Sequence, residues 1–123
     1  MNICITSQGP DLTSRFEPHF ARASYFVFYD SRIGQVHAIR NGFTVNDTRI
    51  GQNVVKLLSS YHVDTVITGK TGSNAHNLLQ AANITITIWP NDGTVRQALI
   101  SVFPDIQNLN EAQTGSKNTA EGR

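Results

Sequence analysis

The order in which the hydrophobic repeat changes period constrains this chain most. Three stretches with the two-residue repeat of a β-strand come first, and helical and strand segments then alternate. Asn2–Thr6 sets Ile3 and Ile5 on one face and Cys4 on the other. Tyr25–Tyr29 is a dense aromatic and β-branched run, and in Gln35–Arg40 Val36 and Ala38 alternate with His37 and Ile39. Gly34 supplies the positive φ that a tight turn needs, so the second and third runs form a hairpin.

Helical spacing begins at Ile50 and continues through Val54, Leu57, Leu58 and Tyr61, with Asn46 and Asp47 as capping candidates. Thr65–Ile67 is a short buried strand. A second helix starts near Ser73 with Ala75, Leu78, Leu79 and Ala82 on one face, and Asn83 fits its left-handed C-terminal cap. Ile84–Trp89 is the last strand. Thr94–Gln97 reads as a capping box opening a third helix through Val95, Ala98, Leu99, Val102 and Phe103.

The order β-β-β-α-β-α-β-α describes an α/β fold: a five-stranded mixed sheet flanked by three helices. Strand two runs antiparallel to strand one, and right-handed crossovers set strands one, three, four and five parallel. Ligands of such sheets sit beyond the carboxyl ends of the parallel strands. That edge collects the 7–24 loop, the segment before helix one, the Lys70–Asn74 turn and the Trp89–Gly93 turn. The 7–24 loop is long enough to be functional or mobile. Residues 1–106 are expected to form the domain and 107–123 a polar, disordered tail.

Composition narrows the functions open to this edge. Ten Lys and Arg against nine Asp and Glu give a net charge of +1, too little to hold duplex nucleic acid. The single cysteine allows no intrachain disulfide and no Cys-x-x-Cys metal cage. Without a signal peptide or an apolar run near the ~20 residues of a membrane span, a soluble cytoplasmic protein is expected. A two-metal nuclease needs carboxylates on the central strand, and strand one offers Asn2, Cys4 and Thr6.

The stretch Glu17–Phe26 places His19 and Arg22 three residues apart between aromatic anchors. An imidazole can ligate a borderline metal, and a guanidinium forks onto an anion. Alternatively, His19 is simply a solvated loop histidine. Gly69–Asn74 is a turn from a strand into a helix, where N–H groups and the helix dipole favour an anion. It contains Gly69-Lys70-Thr71, but Asp64 occupies the position of a phosphate loop's first glycine, so it is no such loop. The plainer reading is a tight turn with Ser73 as N-cap. Cys4 reads as a buried filler. His76 is a possible second imidazole near the same edge, and His37 and His62 lie away from it.

Four groups of residues occur in order over residues 1–103. They are Met1–Ile5 with Gly9; His19-Phe20-x-Arg22-Ala23-x-Tyr25-Phe26; Val63–Ile67 with Gly69, Gly72, Asn74 and Ala75; and Gly93-Thr94-Val95 with Ala98. In these the chain resembles the dinitrogenase iron-molybdenum cofactor biosynthesis family. The resemblance implies a ribonuclease-H-like fold and a small accessory protein that holds or carries a preassembled metal–sulfur cofactor or its precursor. The family includes members unrelated to nitrogenase and an orange protein branch carrying a molybdenum–copper sulfide. Its His-Phe motif, the best candidate for a cofactor ligand, falls on His19. Ala21 stands where the family usually has glycine, and a positive φ there would strain it.

The expectation is therefore a non-enzymatic, cytoplasmic, monomeric carrier of an iron–sulfur or iron–molybdenum–sulfur cluster, serving nitrogenase cofactor biosynthesis. His19 would be the metal ligand, Arg22 and Lys70 the counter-charges, and Ser73 and Asn74 N–H donors. Its partners would be cluster donor and acceptor proteins rather than nucleic acid or membrane. Two other readings stay open. One is a small enzyme or sensor of a phosphate or organic anion using Lys70, Thr71 and the helix start, with His19 as acid or base; the other is an interaction domain docking through its tail or hairpin.

Overall fold

In the computed structural model, residues 1–43 and 50–106 are described. Five strands, β1 (Asn2–Ser7), β2 (Tyr25–Asp30), β3 (Gln35–Arg40), β4 (Thr65–Thr68) and β5 (Thr85–Ile88), form one mixed sheet in the order β3-β2-β1-β4-β5. Three α-helices accompany it, α1 (Ile50–Ser60), α2 (Ser73–Ala81) and α3 (Val95–Val102). This is the expected α/β arrangement. β2 is antiparallel to β1 and to β3, while β4 is parallel to β1 and β5 to β4.

β1 is central and buried on both faces, and its two-residue repeat divides the core. Cys4 joins Phe26, Phe28 and Val66 beneath Val54, Leu58, Ala75 and Leu79 of α1 and α2. Ile3, Ile5, Val27 and Ile67 pack beneath Val95, Ala98 and Leu99 of α3. Burying both faces of the middle strands is what a parallel core requires, and it explains why their apolar runs are nearly continuous.

Local chemistry fixes the element ends. Gly34 has φ 70° in the hairpin turn, and Asn83 has φ 61° just after α2. Thr94 and Gln97 make both bonds of the capping box at α3. Three details depart from the sequence reading. α1 ends at Ser60, so Tyr61 is not part of its buried stripe; its ring lies 5.3 Å from Phe28 and 6.1 Å from His37, and the chain closes through His62 at φ 57°. Gly72, not Ser73, is the N-cap of α2, and no side chain caps it. The caps proposed at Asn46 and Asp47, and the 107–123 tail, lie outside the described residues.

Candidate functional site

The 8–24 segment is held in place rather than mobile. Leu12 and Phe16 enter the core on the α3 side, where Phe16 meets Trp89 edge-on at 5.0 Å, and Phe20 enters the opposite core against Phe26. The segment thus straddles the sheet, with residues 17–19 crossing the carboxyl ends of β1 and β4. Backbone bonds fasten the crossing. Glu17 N–H donates to the Thr6 carbonyl at 3.0 Å, and the Thr6 hydroxyl donates to the Glu17 carbonyl at 2.6 Å. The Pro18 carbonyl accepts from the N–H groups of Gly69 (2.9 Å) and Lys70 (2.7 Å), and Phe20 N–H donates to the Lys70 carbonyl.

This docking explains Gly69. A Cβ there would come within 2.6 to 2.8 Å of Pro18 atoms, its Cα and carbonyl oxygen included, so the glycine permits the loop's close approach. The expectation that this turn offers backbone N–H groups to an anion fails at its start, because the Gly69 and Lys70 amides are already committed to Pro18.

Beside this crossing lies a cleft of about 350 Å³ lined by His19, Phe20, Ala21, Arg22, Lys70, Gly72 and Ala75. Lys70, distant in sequence, is thereby brought beside His19 and Arg22. Ser73 and Asn74 are exposed on the first turn of α2, next to the cleft but not among its lining residues. His76 is exposed beside a separate depression with Gln80 and Asn83, so it is not a second imidazole of this cleft. Cys4 is wholly buried, and burial in an apolar core pushes its thiol far above the ordinary range. It cannot reach the cleft. His37 stacks on Phe28 at 5.0 Å away from this edge.

Two groups near His19 escaped the sequence reading as site residues. The Glu17 carboxylate Oε2 accepts from His19 N–H at 2.9 Å and lies 3.0 Å from His19 Nδ1. A Glu two residues ahead of a His, across a proline, was the available signal. Arg40 lines a second recess of about 210 Å³ that shares Ala21 and Arg22 with the cleft. No periodicity could place it there, because strand pairing with Tyr25 does so. Among the described residues Arg15 pairs with Asp92 and Arg32 with Asp30, and Arg22 and Lys70 are in no ion pair.

The model of the dinitrogenase iron-molybdenum cofactor family matches residues 1–104. The chain belongs to this family. The apo form of the orange protein from Desulfovibrio gigas is 30% identical, with a TM-score of 0.79 over 85% of this chain and 88% of that one. A NifB-like protein from Thermotoga, of the solution structures, is 31% identical, with a TM-score of 0.69 over 95% and 97% of the two chains. No curated protein sequence matches the chain. Against the family's usual glycine, Ala21 costs nothing in backbone strain here. It sits in a short 3₁₀ turn, Phe20–Arg22, and positive φ among described non-glycine residues occurs only at His62 and Asn83.

Membership of the dinitrogenase iron-molybdenum cofactor family and the likeness to the orange protein support a cofactor-associated role. No helix among the described residues is long and apolar enough to cross a membrane.

Proposed function

We propose that this chain is a non-enzymatic carrier of a preassembled metal–sulfur cofactor, of iron–sulfur or iron–molybdenum type, or of its precursor. It would take its cargo from a donor protein in the cytoplasm and yield it to an acceptor, with His19 as the metal ligand. The observation that supports this best is the composition of one cleft: a half-exposed imidazole beside two cations that form no ion pair among the described residues.

The donor set suits such a cargo. Among the described residues no three or more His, Cys, Asp or Glu side chains gather where they could hold a metal ion. A bare ion at His19 would therefore lack ligands, whereas a cluster brings its own sulfides and needs only one replaceable bond. Clusters of this kind are anionic, and Arg22 and Lys70 supply charge without fixing the cargo permanently. The start of α2 at Ser73 and Asn74 would add N–H donors at the cleft's rim. A phosphate-binding enzyme or sensor is less well supported, since the Gly69 and Lys70 amides are taken.

The test is anaerobic gel filtration of the purified chain with a thiolate-capped synthetic iron–sulfur cluster, followed by iron and sulfide analysis. The cluster should co-elute with the native chain and with Cys4→Ala, and not with His19→Ala. Absence of co-elution with the native chain overturns the proposal.

A further inference from the structure

We infer that Glu17 is a positioning residue that selects Nε2 of His19 as the ligand nitrogen; this rests on His19 being the ligand. The argument starts from how firmly the carboxylate is held. Its backbone is tied at both the N–H and the carbonyl to Thr6, at the end of β1. Oε1 accepts from the Gln8 side-chain amide at 3.2 Å, and Oε2 accepts from the His19 backbone at 2.9 Å. The Glu17 side chain is 15% exposed, against 46% for His19.

Oε2 also lies 3.0 Å from Nδ1. A carboxylate can only accept, so in the neutral ring Nδ1 carries the hydrogen and Nε2 keeps the lone pair. Glu17 does not line the cleft, whereas His19 does. The carboxylate therefore backs the ring from outside while the opposite nitrogen remains for a ligand. Orientation and basicity of a ligating imidazole are commonly set by such a carboxylate, and losing it weakens metal affinity by about 10–100-fold. The arrangement also accounts for a negative charge beside a site meant for an anion: it is spent on the Nδ1–H and on two further donors, the Gln8 amide and the His19 backbone N–H, rather than facing the cargo.

The experiment uses the full chain labelled with ¹⁵N-histidine, recorded at about pH 8, where an ordinary imidazole is neutral. The His19 signals are assigned by their loss in His19→Ala. Native His19 should show a protonated Nδ1 and an unprotonated Nε2. In Glu17→Ala the ring should revert toward the mixture of a free imidazole, and the thiolate-capped synthetic iron–sulfur cluster should bind about 10–100-fold more weakly. Glu17→Gln keeps the shape and one acceptor oxygen, and covers the case in which Glu17→Ala does not fold; it should keep the native form of the ring and lose less affinity. A native ring protonated on Nε2, or a Glu17→Ala chain whose ring form or cluster affinity equals the native, overturns the inference. Cluster uptake by the native chain with a ring protonated on Nε2 defeats the positioning role alone. The expected ring form without cluster uptake defeats the carrier reading alone.

Discussion

The interior of β1 and the 17–22 segment each carry one side chain able to bind a soft or borderline metal, and the fold treats the two oppositely. Cys4 is sealed between helices and sheet, with its thiol held protonated by burial. His19 is half exposed at the sheet edge, with one ring nitrogen engaged and the cleft before it. The contrast teaches that ligand potential is decided by what the backbone does around a residue. β1 is buried on both faces because it is central, whereas residues 17–19 are lifted over the strand ends by the aromatic anchors Phe16 and Phe20 on either side of them.

The largest break in that contrast should come from the contact that lifts the segment. Gly69→Ala places a methyl against the Pro18 backbone and displaces the two hydrogen bonds there. It should cost about 3 kcal/mol of stability in denaturant unfolding and abolish cluster uptake. Gly72→Ala, in the same turn, meets nothing within 4 Å and has an extended backbone, so it should cost under about 1 kcal/mol. Equal losses in the two variants would show that the turn as a whole is fragile, rather than that Pro18 docks on it.

On the β1 side, Cys4→Ser puts a hydroxyl into an apolar cluster. It should cost about 2 kcal/mol while leaving cluster uptake intact. The native thiol should stay unmodified by iodoacetamide until the chain unfolds. Uptake lost in this variant without loss of fold would move the ligand from His19 to β1.

The buried thiol also sharpens the comparison through pH. Below about 8.5 a thiol is protonated in both folded and unfolded chains, and pH acts little through it. Above that value the unfolded chain releases a proton the folded chain keeps, so stability falls by about 1.4 kcal/mol per pH unit. Unfolding curves between about pH 8.5 and 10.5 should be steeper in pH for the native chain than for Cys4→Ala by this amount. Parallel curves would mean that the thiol is more solvated than its burial implies.

Much of this was legible in the residues themselves. The order of periods gave the strands and helices, because a central strand and an amphipathic helix each leave a repeat that neighbours do not disturb. Asn83, Gly34 and the Thr94–Gln97 box marked their own positions, since each states a local backbone requirement. The site was legible only in part. His19, Arg22 and Lys70 could be assigned to one edge from strand direction alone, but the role of Gly69 depends on Pro18, which the sequence sets fifty-one residues away. Likewise His76 looked close because it follows the same turn, yet it stands about 100° around α2 from Ala75, which lines the cleft, and so borders a different depression. Long-range backbone contacts leave no periodic trace.

The smallest expected effect tests whether the cations at the edge act by charge or by shape. Arg22 and Lys70 are exposed and lie in no ion pair among the described residues, so Arg22→Gln and Lys70→Gln should leave stability within about 0.5 kcal/mol of native. Each should weaken uptake of an anionic cluster by up to about fivefold at low salt, the scale of an exposed charge pair. Raising ionic strength shortens the screening length to roughly 3 Å at 1 M, so these differences should vanish in high salt. The His19→Ala defect should persist there, because a metal–nitrogen bond is not screened. If Arg22→Gln instead remains defective in high salt, its guanidinium holds the cargo by directed hydrogen bonds, and the cleft and the Arg40 recess it borders would act as one binding surface.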